Sequence, residues 1–187
     1  MFYDILKHLN KNFVTYVLIN SSLSFKPDRK YGFNFVYLIK FFKIKYFNMK
    51  RNATAVWNGT VKEGKGHITT QSTTLNQTQY SFGSRFEEGV GTNPEELLAA
   101  AHAGCFTMKL SAELTQAGFT PEELTTKSVI TLDPAAGKIT KSELTLTAQI
   151  PGISEEDFQK YAKIAEEGCP VSQAFSFEIS LTATLSN

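Results

Sequence analysis

The hydrophobic residues of this chain are most concentrated between positions 97 and 108, where only His102 and Thr107 interrupt a run of Leu, Ala, Gly, Cys, Phe and Met. A helix that is apolar on every side is typical of a buried position. The pattern therefore predicts a buried central helix, and its many small residues would let other elements approach closely.

The residues on either side of this run indicate where the helix begins and ends. Asn93 suits the N-cap and Pro94 the first helical position, and Glu95 and Glu96 favour the positive end of the helix dipole. Glu96 also follows the cap by three positions, as in a capping box. Gly118 suits the position directly after the helix.

Shorter patterns predict the remaining elements. A second helix with one apolar face is expected after Ser154 and ends at Gly168, and residues 120–124 are expected to form a short helical turn at most. Within 80–86, alternation would point Arg85 away from the row of aromatic side chains. Strands are predicted at residues 53–57, 80–86, 127–132, 144–150 and 175–185, with two strand ends around a Gly-rich turn at 61–68.

The order of these elements predicts an α+β fold, with strands around the central helix and a second helix before the last strand. One sheet cannot easily cover a helix that is apolar on every side. A second subunit is the simplest cover, so we expect a homodimer.

Residues 1–48 differ in composition from the rest of the chain. They hold 13 of the 22 Phe and Tyr residues, and they carry 8 Lys and Arg against 2 Asp and Glu. We interpret Met49 as the true start, with a targeting or membrane-surface extension as the alternative. The domain is then 49–187, a segment for which we expect a cytoplasmic location and no membrane contact. Its acidic balance argues against nucleic acid as a partner.

The two cysteines, Cys105 and Cys169, leave three interpretations open. A metal site is weakly supported, because His67 and His102 have no ligand spacing to either cysteine. A buried structural thiol is common. Redox chemistry requires a cation or a hydrogen-bond donor that lowers a thiol pKa, and Arg85 is the candidate. His102, three positions before Cys105, is most simply a buried, hydrogen-bonded histidine.

Several segments, in one order over about residues 50–187, resemble the OsmC/Ohr family of osmotically inducible and organic hydroperoxide resistance proteins. The likeness is closer to the OsmC branch, and residues 1–48 match nothing in the family. The longest matching segments are Gly91-Thr-Asn-Pro-Glu-Glu-Leu, Ala101-His-Ala-Gly-Cys-Phe and Gly168-Cys-Pro-Val-Ser-Gln.

The resemblance implies a thiol-dependent peroxidase without metal, haem or flavin that acts in oxidative or osmotic stress. Cys105 takes the position of the peroxidatic cysteine and Cys169 that of the resolving cysteine. Arg85 matches an arginine that stabilises the thiolate, and Glu95 the glutamate that pairs with it. We therefore expect Cys105 to have the lower thiol pKa.

The resemblance also implies partners: an intertwined homodimer with both sites at the subunit interface, an organic hydroperoxide as substrate, and an external dithiol reductant such as a dihydrolipoyl protein. Apolar Phe106, Met108 and Phe175 would favour organic hydroperoxides over hydrogen peroxide, although each is also explained as ordinary core. The alternative is a non-catalytic OsmC-like protein that binds a ligand or acts in stress. Such a protein would be expected to lack one of the four site residues.

Overall fold

The computed structural model describes residues 48–186, so the interpretation of the segment before Met49 lies outside the described residues. Strands and helices are mixed along the chain, which confirms the α+β fold. In order, the elements are β1 (Ala53–Asn58), β2 (Lys65–Thr70), β3 (Thr78–Ser81), α1 (Phe82–Phe86), α2 (Pro94–Gln116), β4 (Glu123–Asp133), β5 (Lys138–Gln149), α3 (Glu155–Gly168), α4 (Pro170–Ala174) and β6 (Glu178–Leu185).

The strands form two separate three-stranded sheets. In the first, β1, β2 and β3 are antiparallel neighbours in chain order. In the second, β4 and β5 are antiparallel, whereas β5 and β6 are parallel. Parallel neighbours require a crossover connection, and α3 with α4 supplies it.

The core lies between the second sheet and the helices α2 and α3. One face of β5 carries Leu144, Leu146 and Ala148, each almost fully buried, and the residues between them are exposed. This is the alternation expected of a strand with one buried face. Opposite the strand, the core residues of the helices are Phe106, Leu110 and Leu114 on α2 and Phe158, Ala162 and Ala165 on α3.

Asn93 caps α2 and Gly118 follows its end, as the sequence predicts, whereas the return bond of the predicted capping box, from the Glu96 side chain to the Asn93 N–H, is not formed. The Asn93 side chain accepts a hydrogen bond from the Glu96 N–H. At the other end Gly118 has a φ of +90°, and it and Phe119 donate to the carbonyls of Thr115 and Leu114. These bonds form a Schellman motif, which satisfies carbonyls that the helix leaves free.

The expectation that α2 is buried on every side does not hold within one chain. Its core face is narrow, whereas Ala100, Ala101 and Gly104 are exposed and the Met108 side chain is 76% exposed. The reason is geometric: a helix packed on one sheet and one neighbouring helix still presents its far side outwards. The structure of one chain therefore leaves an uncharged helix face uncovered.

The predicted strand at 80–86 is wrong beyond Ser81. The Ser81 side chain accepts from the Ser84 N–H and the Ser84 hydroxyl accepts from the Ser81 N–H, a capping box that starts α1. Arg85 therefore projects from a short helix and not from a strand. Two local hydrogen bonds outweigh the alternation of aromatic residues.

Three further segments differ from prediction. Of the two strand ends predicted within 61–68, only the second is formed. Val61 lies in the turn between β1 and β2, and β2 begins at Lys65. The strand predicted at 127–132 begins earlier, since β4 runs from Glu123 to Asp133, and residues 120–124 form no helical turn. The last strand begins at Glu178 and not at residue 175, because Phe175 is the C-cap of an unpredicted helix, α4, which has Pro170 at its first position.

Among the described residues, none of the helices combines the length and apolar character needed to cross a membrane.

Two side chains of α3 offer a direct test of this packing. Phe158 is 0% exposed and belongs to the core, whereas Ile164 is 38% exposed on the same helix. We expect Phe158→Ala to lower the free energy of unfolding by about 3–5 kcal/mol, because it leaves a cavity. Ile164→Ala should cost about 1 kcal/mol. Urea denaturation at one fixed protein concentration measures both, and equal losses would contradict the described core.

Candidate active site

The two cysteines meet where α2 passes the junction between α3 and α4. Both are free thiols, with Cys105 half-buried on α2 and Cys169 fully buried at the junction. The two thiols lie within hydrogen-bonding reach of each other, and each acts on the pKa of the other. The structure therefore places the two cysteines, 64 residues apart in the sequence, next to each other.

The position of Cys169 follows from the local sequence. It is the residue after α3 and also the N-cap of α4, and Pro170 takes the first helical position. At the start of α4, the backbone N–H groups of Val171 and Ser172 and the Ser172 hydroxyl are within reach of the Cys169 sulfur, and the Val171 N–H also acts on Cys105. Free N–H groups at a helix start are suitable donors for an anion.

These donors decide which thiol ionises more easily. Burial acts to raise the pKa of Cys169, but the hydrogen bonds from Ser172, Cys105 and Val171 outweigh it, so this pKa lies below its ordinary value. For Cys105, burial and its hydrogen bond to Cys169 raise the pKa. The expectation that Cys105 has the lower thiol pKa is therefore wrong for the single chain.

The reason is the position of Arg85. Its guanidinium contacts the Glu95 carboxylate at the start of α2, with Nη2 to Oε1 at 2.7 Å and Nε to Oε2 at 3.1 Å. Glu95 precedes Cys105 by ten helical residues, roughly 15 Å along the axis. The predicted salt bridge between Arg85 and Glu95 is confirmed, but Arg85 does not contribute to the pKa of Cys105 within one chain.

Short-range contacts fix α1 against the start of α2. The Ser84 hydroxyl donates to the Thr92 carbonyl at 2.9 Å, and the Asn93 side-chain amide donates to the Ser84 carbonyl at 3.0 Å. The Arg85 guanidinium also lies over the Phe86 ring, 5.1 Å from its centre. These contacts hold the Arg85 guanidinium in position to bond to the Glu95 carboxylate.

Ionisation of this pair is mutually supported. Burial acts to raise the pKa of Glu95, but the hydrogen bonds and charge of Arg85, with a backbone N–H, bring it below its ordinary value of 4.5. The hydrogen bond to Glu95 raises the pKa of Arg85 in turn.

A cavity of about 270 Å³ adjoins the Arg85 guanidinium. Most of its lining is apolar, so it suits a hydrocarbon group beside a fixed cation. The lining side chains are Trp57, Val61, Tyr80, Ser81, Phe82, Arg85, Phe86 and Pro94.

His102 is fully buried and bonded at both ring nitrogens, which confirms its predicted character. Nδ1 lies 2.7 Å from the Ser142 hydroxyl and Nε2 lies 2.9 Å from the Ser172 hydroxyl. Burial lowers its pKa, against the opposing charge of Glu166. Sequence reasoning missed Ser142 and Ser172. The signal for Ser172 was Cys169-Pro170, because a proline at the first helical position places Ser172 inside a new helix.

Within residues 48–186, no group of three or more His, Cys, Asp and Glu side chains is arranged to hold a metal ion. The expectation that the protein needs no metal or other cofactor stays a prediction.

The fold and the site define a class of small α+β proteins in which a helix from the core brings a half-buried thiol onto a fully buried one. The chain belongs to the OsmC-like protein family, which matches residues 87–184. It is 46% identical over 133 residues to the Peroxiredoxin OsmC of Escherichia coli, a match that covers 70% of this chain and 93% of that protein. This supports the OsmC branch, as the resemblance predicted.

A more distant relative is the Organic hydroperoxide resistance protein-like of Staphylococcus aureus, 32% identical over 63% of this chain and 84% of that protein. Among solved structures, the OsmC-like protein of Mycoplasma pneumoniae superimposes with a TM-score of 0.61 at 15% identity. That match covers 75% of this chain and all of the other, and it supports the fold.

The salt bridge between Arg85 and Glu95 makes a prediction about acid stability. The folded-state pKa of Glu95 is lowered, so its contribution is present above the unfolded value of 4.5 and is lost as the pH falls through the folded value. The pair is partly exposed, so Glu95→Gln should lower the free energy of unfolding at neutral pH by about 1 kcal/mol or less.

Glu96→Gln is the matched control, because Glu96 is exposed one position further along the same helix. Urea denaturation at neutral pH and at a pH below the folded-state pKa of Glu95, which itself lies below 4.5, gives the comparison. A loss in Glu95→Gln that is as large in acid as at neutral pH would contradict the assigned ion pair.

Proposed function

We propose that this thiol-dependent peroxidase reduces organic hydroperoxides through a sulfenic acid on Cys105 and a disulfide between Cys105 and Cys169. The observation that carries the proposal is the pair of adjacent free thiols, of which one is accessible. The names of the two curated relatives, Peroxiredoxin OsmC and Organic hydroperoxide resistance protein-like, support the same activity.

The difference in solvent exposure favours Cys105 for the first step. Cys169 is 0% exposed, so a peroxide cannot reach its sulfur without moving other groups, whereas Cys105 is half-buried. In the first step the Cys105 thiolate attacks one peroxide oxygen and the O–O bond breaks. The second oxygen leaves with its organic group and takes up a proton to become an alcohol. Cys105 is then a sulfenic acid.

The second step uses the neighbouring thiol. The Cys169 thiolate attacks the oxidised Cys105 sulfur, the S–S bond forms, and the S–O bond breaks. The leaving hydroxide takes up a proton and becomes water. An external dithiol then reduces the disulfide, and we propose a dihydrolipoyl group for this task. No metal, haem or flavin takes part. A cycle that returns both cysteines to thiols fits the reducing cytoplasm.

The site is proposed to be complete only in a homodimer. Residues 97–108 include no charged side chain, and the face of α2 that carries Ala101, Gly104 and Met108 is exposed in one chain. An uncharged helix face of this length favours burial against a second subunit. We further propose that the Arg85 and Glu95 pair reaches the thiols across that interface and supplies the cation that Cys105 lacks in one chain.

The preference for organic hydroperoxides is proposed to come from the aromatic cavity beside Arg85. Arg85 would orient the peroxide oxygens, and rings such as Trp57 and Phe82 would contact the organic group. Phe106, a sequence candidate for the same preference, is part of the core instead. Consumption of cumene hydroperoxide and hydrogen peroxide with a dithiol reductant tests the activity, and faster turnover of hydrogen peroxide would contradict the preference.

The non-catalytic alternative is less favoured, because Arg85, Glu95, Cys105 and Cys169 are all present and lie in two mutually bonded pairs.

The proposed order of oxidation predicts different products from the two cysteine variants. Cys105→Ser should abolish hydroperoxide turnover. Cys169→Ser should react once per subunit, stop at the sulfenic acid, and proceed to sulfinic acid in excess peroxide. Mass spectrometry after one equivalent of cumene hydroperoxide measures each product. Oxidation of Cys169 in Cys105→Ser at the wild-type rate would reverse the assigned roles.

Removal of the Arg85 cation should slow the first step and leave the fold intact. Arg85→Ala is expected to reduce the rate of Cys105 oxidation at least tenfold, a loss that corresponds to one charge-assisted hydrogen bond of about 1.4 kcal/mol. Arg85→Lys should restore only part of this rate, because lysine keeps the charge but lacks the planar set of N–H donors of the guanidinium. A stopped-flow measurement with cumene hydroperoxide and an unchanged rate in Arg85→Ala would refute this role.

The uncovered face of α2 predicts the oligomeric state. Light scattering at micromolar concentration should give the mass of a dimer, and Met108→Glu should shift it towards the monomer because it places a charge on that face. Val129→Glu is the control, since Val129 is also an exposed apolar residue but lies on β4. A folded, active monomer in the wild type would count against the dimer.

A further inference from the structure

His102 is the one fully buried ionisable side chain of α2, and the two proposed steps do not use it. Both ring nitrogens are bonded to hydroxyl groups that are themselves buried: Ser142 on β5 and Ser172 on α4. The Phe175 ring packs edge-on against the imidazole, 5.1 Å between ring centres. The ring is therefore fixed in orientation, with its two nitrogens bonded to different elements.

This arrangement has few consistent assignments of its protons. A neutral imidazole has one N–H donor and one bare nitrogen. If Nε2 is bare, it accepts the only hydroxyl proton of Ser172. If Nε2 carries the proton, it donates to the Ser172 oxygen, and the hydroxyl proton of Ser172 is available elsewhere.

The available direction is the Cys169 sulfur. Ser172 lies three residues after Cys169 in the first turn of α4, and its hydroxyl is within hydrogen-bonding reach of that sulfur. Ser142 occupies the other ring nitrogen and lies 3.3 Å from the hydroxyl of Ser128, which is half-buried on β4. Hydroxyl and imidazole groups thus connect a fully buried thiol to a strand residue nearer to solvent.

We propose that His102 and Ser172 are positioning residues for the resolving step: His102 donates through Nε2 to Ser172, which directs its hydroxyl proton onto the Cys169 sulfur and holds that sulfur as the attacking thiolate. The inference rests on the proposed roles of Cys105 and Cys169. It assigns to the hydrogen-bonded histidine a task in the second step alone.

The step balances without any further reactant. The Cys169 proton is released to the departing Cys105 oxygen, while Nε2 of His102 and the Ser172 hydroxyl keep their own protons and remain donors. The thiolate attacks the Cys105 sulfenic sulfur, the S–S bond forms, and the S–O bond breaks. The departing hydroxide thus leaves as water. The sulfenic sulfur is reduced and the Cys169 sulfur is oxidised, by the same electron pair.

Few other charged or titratable groups act on the hydrogen bonds that connect His102, Ser172 and Cys169. Glu166 of α3 acts on His102 through its charge, and it is paired with Lys163 on the same helix. The Cys105 thiol of α2 faces Cys169. Both can be controlled, the first with Glu166→Gln and the second with Cys105→Ser.

The first experiment isolates Cys169 and needs no peroxidase activity. In a Cys105→Ser background, the pH dependence of the thiolate ultraviolet absorbance gives the pKa of Cys169. We expect Ser172→Ala and His102→Leu to raise this pKa by about one unit, tenfold in ionisation, because a hydrogen bond to the charged form is lost. Ser172→Thr, which keeps a hydroxyl, and His102→Gln, which keeps a donor amide, should recover most of the shift.

The second experiment follows the resolving step in protein that has both cysteines. With excess cumene hydroperoxide, Ser172→Ala should oxidise Cys105 at the wild-type rate but form the disulfide more slowly. More Cys105 should then reach the sulfinic acid, and mass spectrometry measures the ratio. Thr107→Val is the control, because it also removes a hydroxyl near Cys105, on α2, but that hydroxyl bonds to Ala103 and Thr126 instead.

The outcomes separate the inference from the proposed function. A Cys169 pKa that is unchanged in folded Ser172→Ala and His102→Leu would overturn the inference, whatever the activity. A loss that neither Ser172→Thr nor His102→Gln recovers would also overturn it, since it would indicate general damage to packing. If the pKa shifts are as expected but the wild-type protein consumes no hydroperoxide, the proposed peroxidase activity is refuted. The effect of His102 and Ser172 on the Cys169 thiolate would still stand.

Discussion

The packing of α2 against the second sheet and α3 is the constraint on which the site depends. His102, Phe106, Leu110 and Leu114 recur every fourth residue and are all fully buried. Residues at this spacing lie on one helix face. Cys105 lies at the edge of the same face, so the contacts that bury the core also fix the distance between its sulfur and the junction of α3 and α4. A change in the packing of α2 would therefore also change the position of the Cys105 sulfur relative to Cys169.

The elements with strong periodic signals could be predicted from the sequence. The start of α2 at Asn93, its end at Gly118 and the alternation of β5 follow from residues close together in the chain. Failures came where a few side-chain hydrogen bonds decide the structure. The Ser81 and Ser84 capping box ends β3 and starts α1, against an aromatic alternation that continues through Phe86.

The candidate site was predictable as a set of residues but not as an electrostatic environment. The likeness to a family and the types of Arg85, Glu95, Cys105 and Cys169 identified the two pairs, and both pairs are in contact. The pKa order of the thiols depends on backbone N–H groups of Val171 and Ser172. No periodic pattern encodes their direction, since it follows from the start of a five-residue helix. The hydroxyl groups around His102 come from elements 40 and 70 residues away, which local patterns cannot reveal.

The burial of Cys169 also determines how a disulfide in this position would be opened. An incoming thiolate can reach only the more accessible sulfur, that of Cys105, so Cys169 is the leaving group. Thiols of lower pKa leave faster in thiol–disulfide exchange. The N–H groups and the hydroxyl that lower the pKa of Cys169 therefore favour its departure. The pKa order of the two thiols therefore does not favour the attack of Cys105 on a peroxide, but it does favour the reduction of the disulfide back to two thiols.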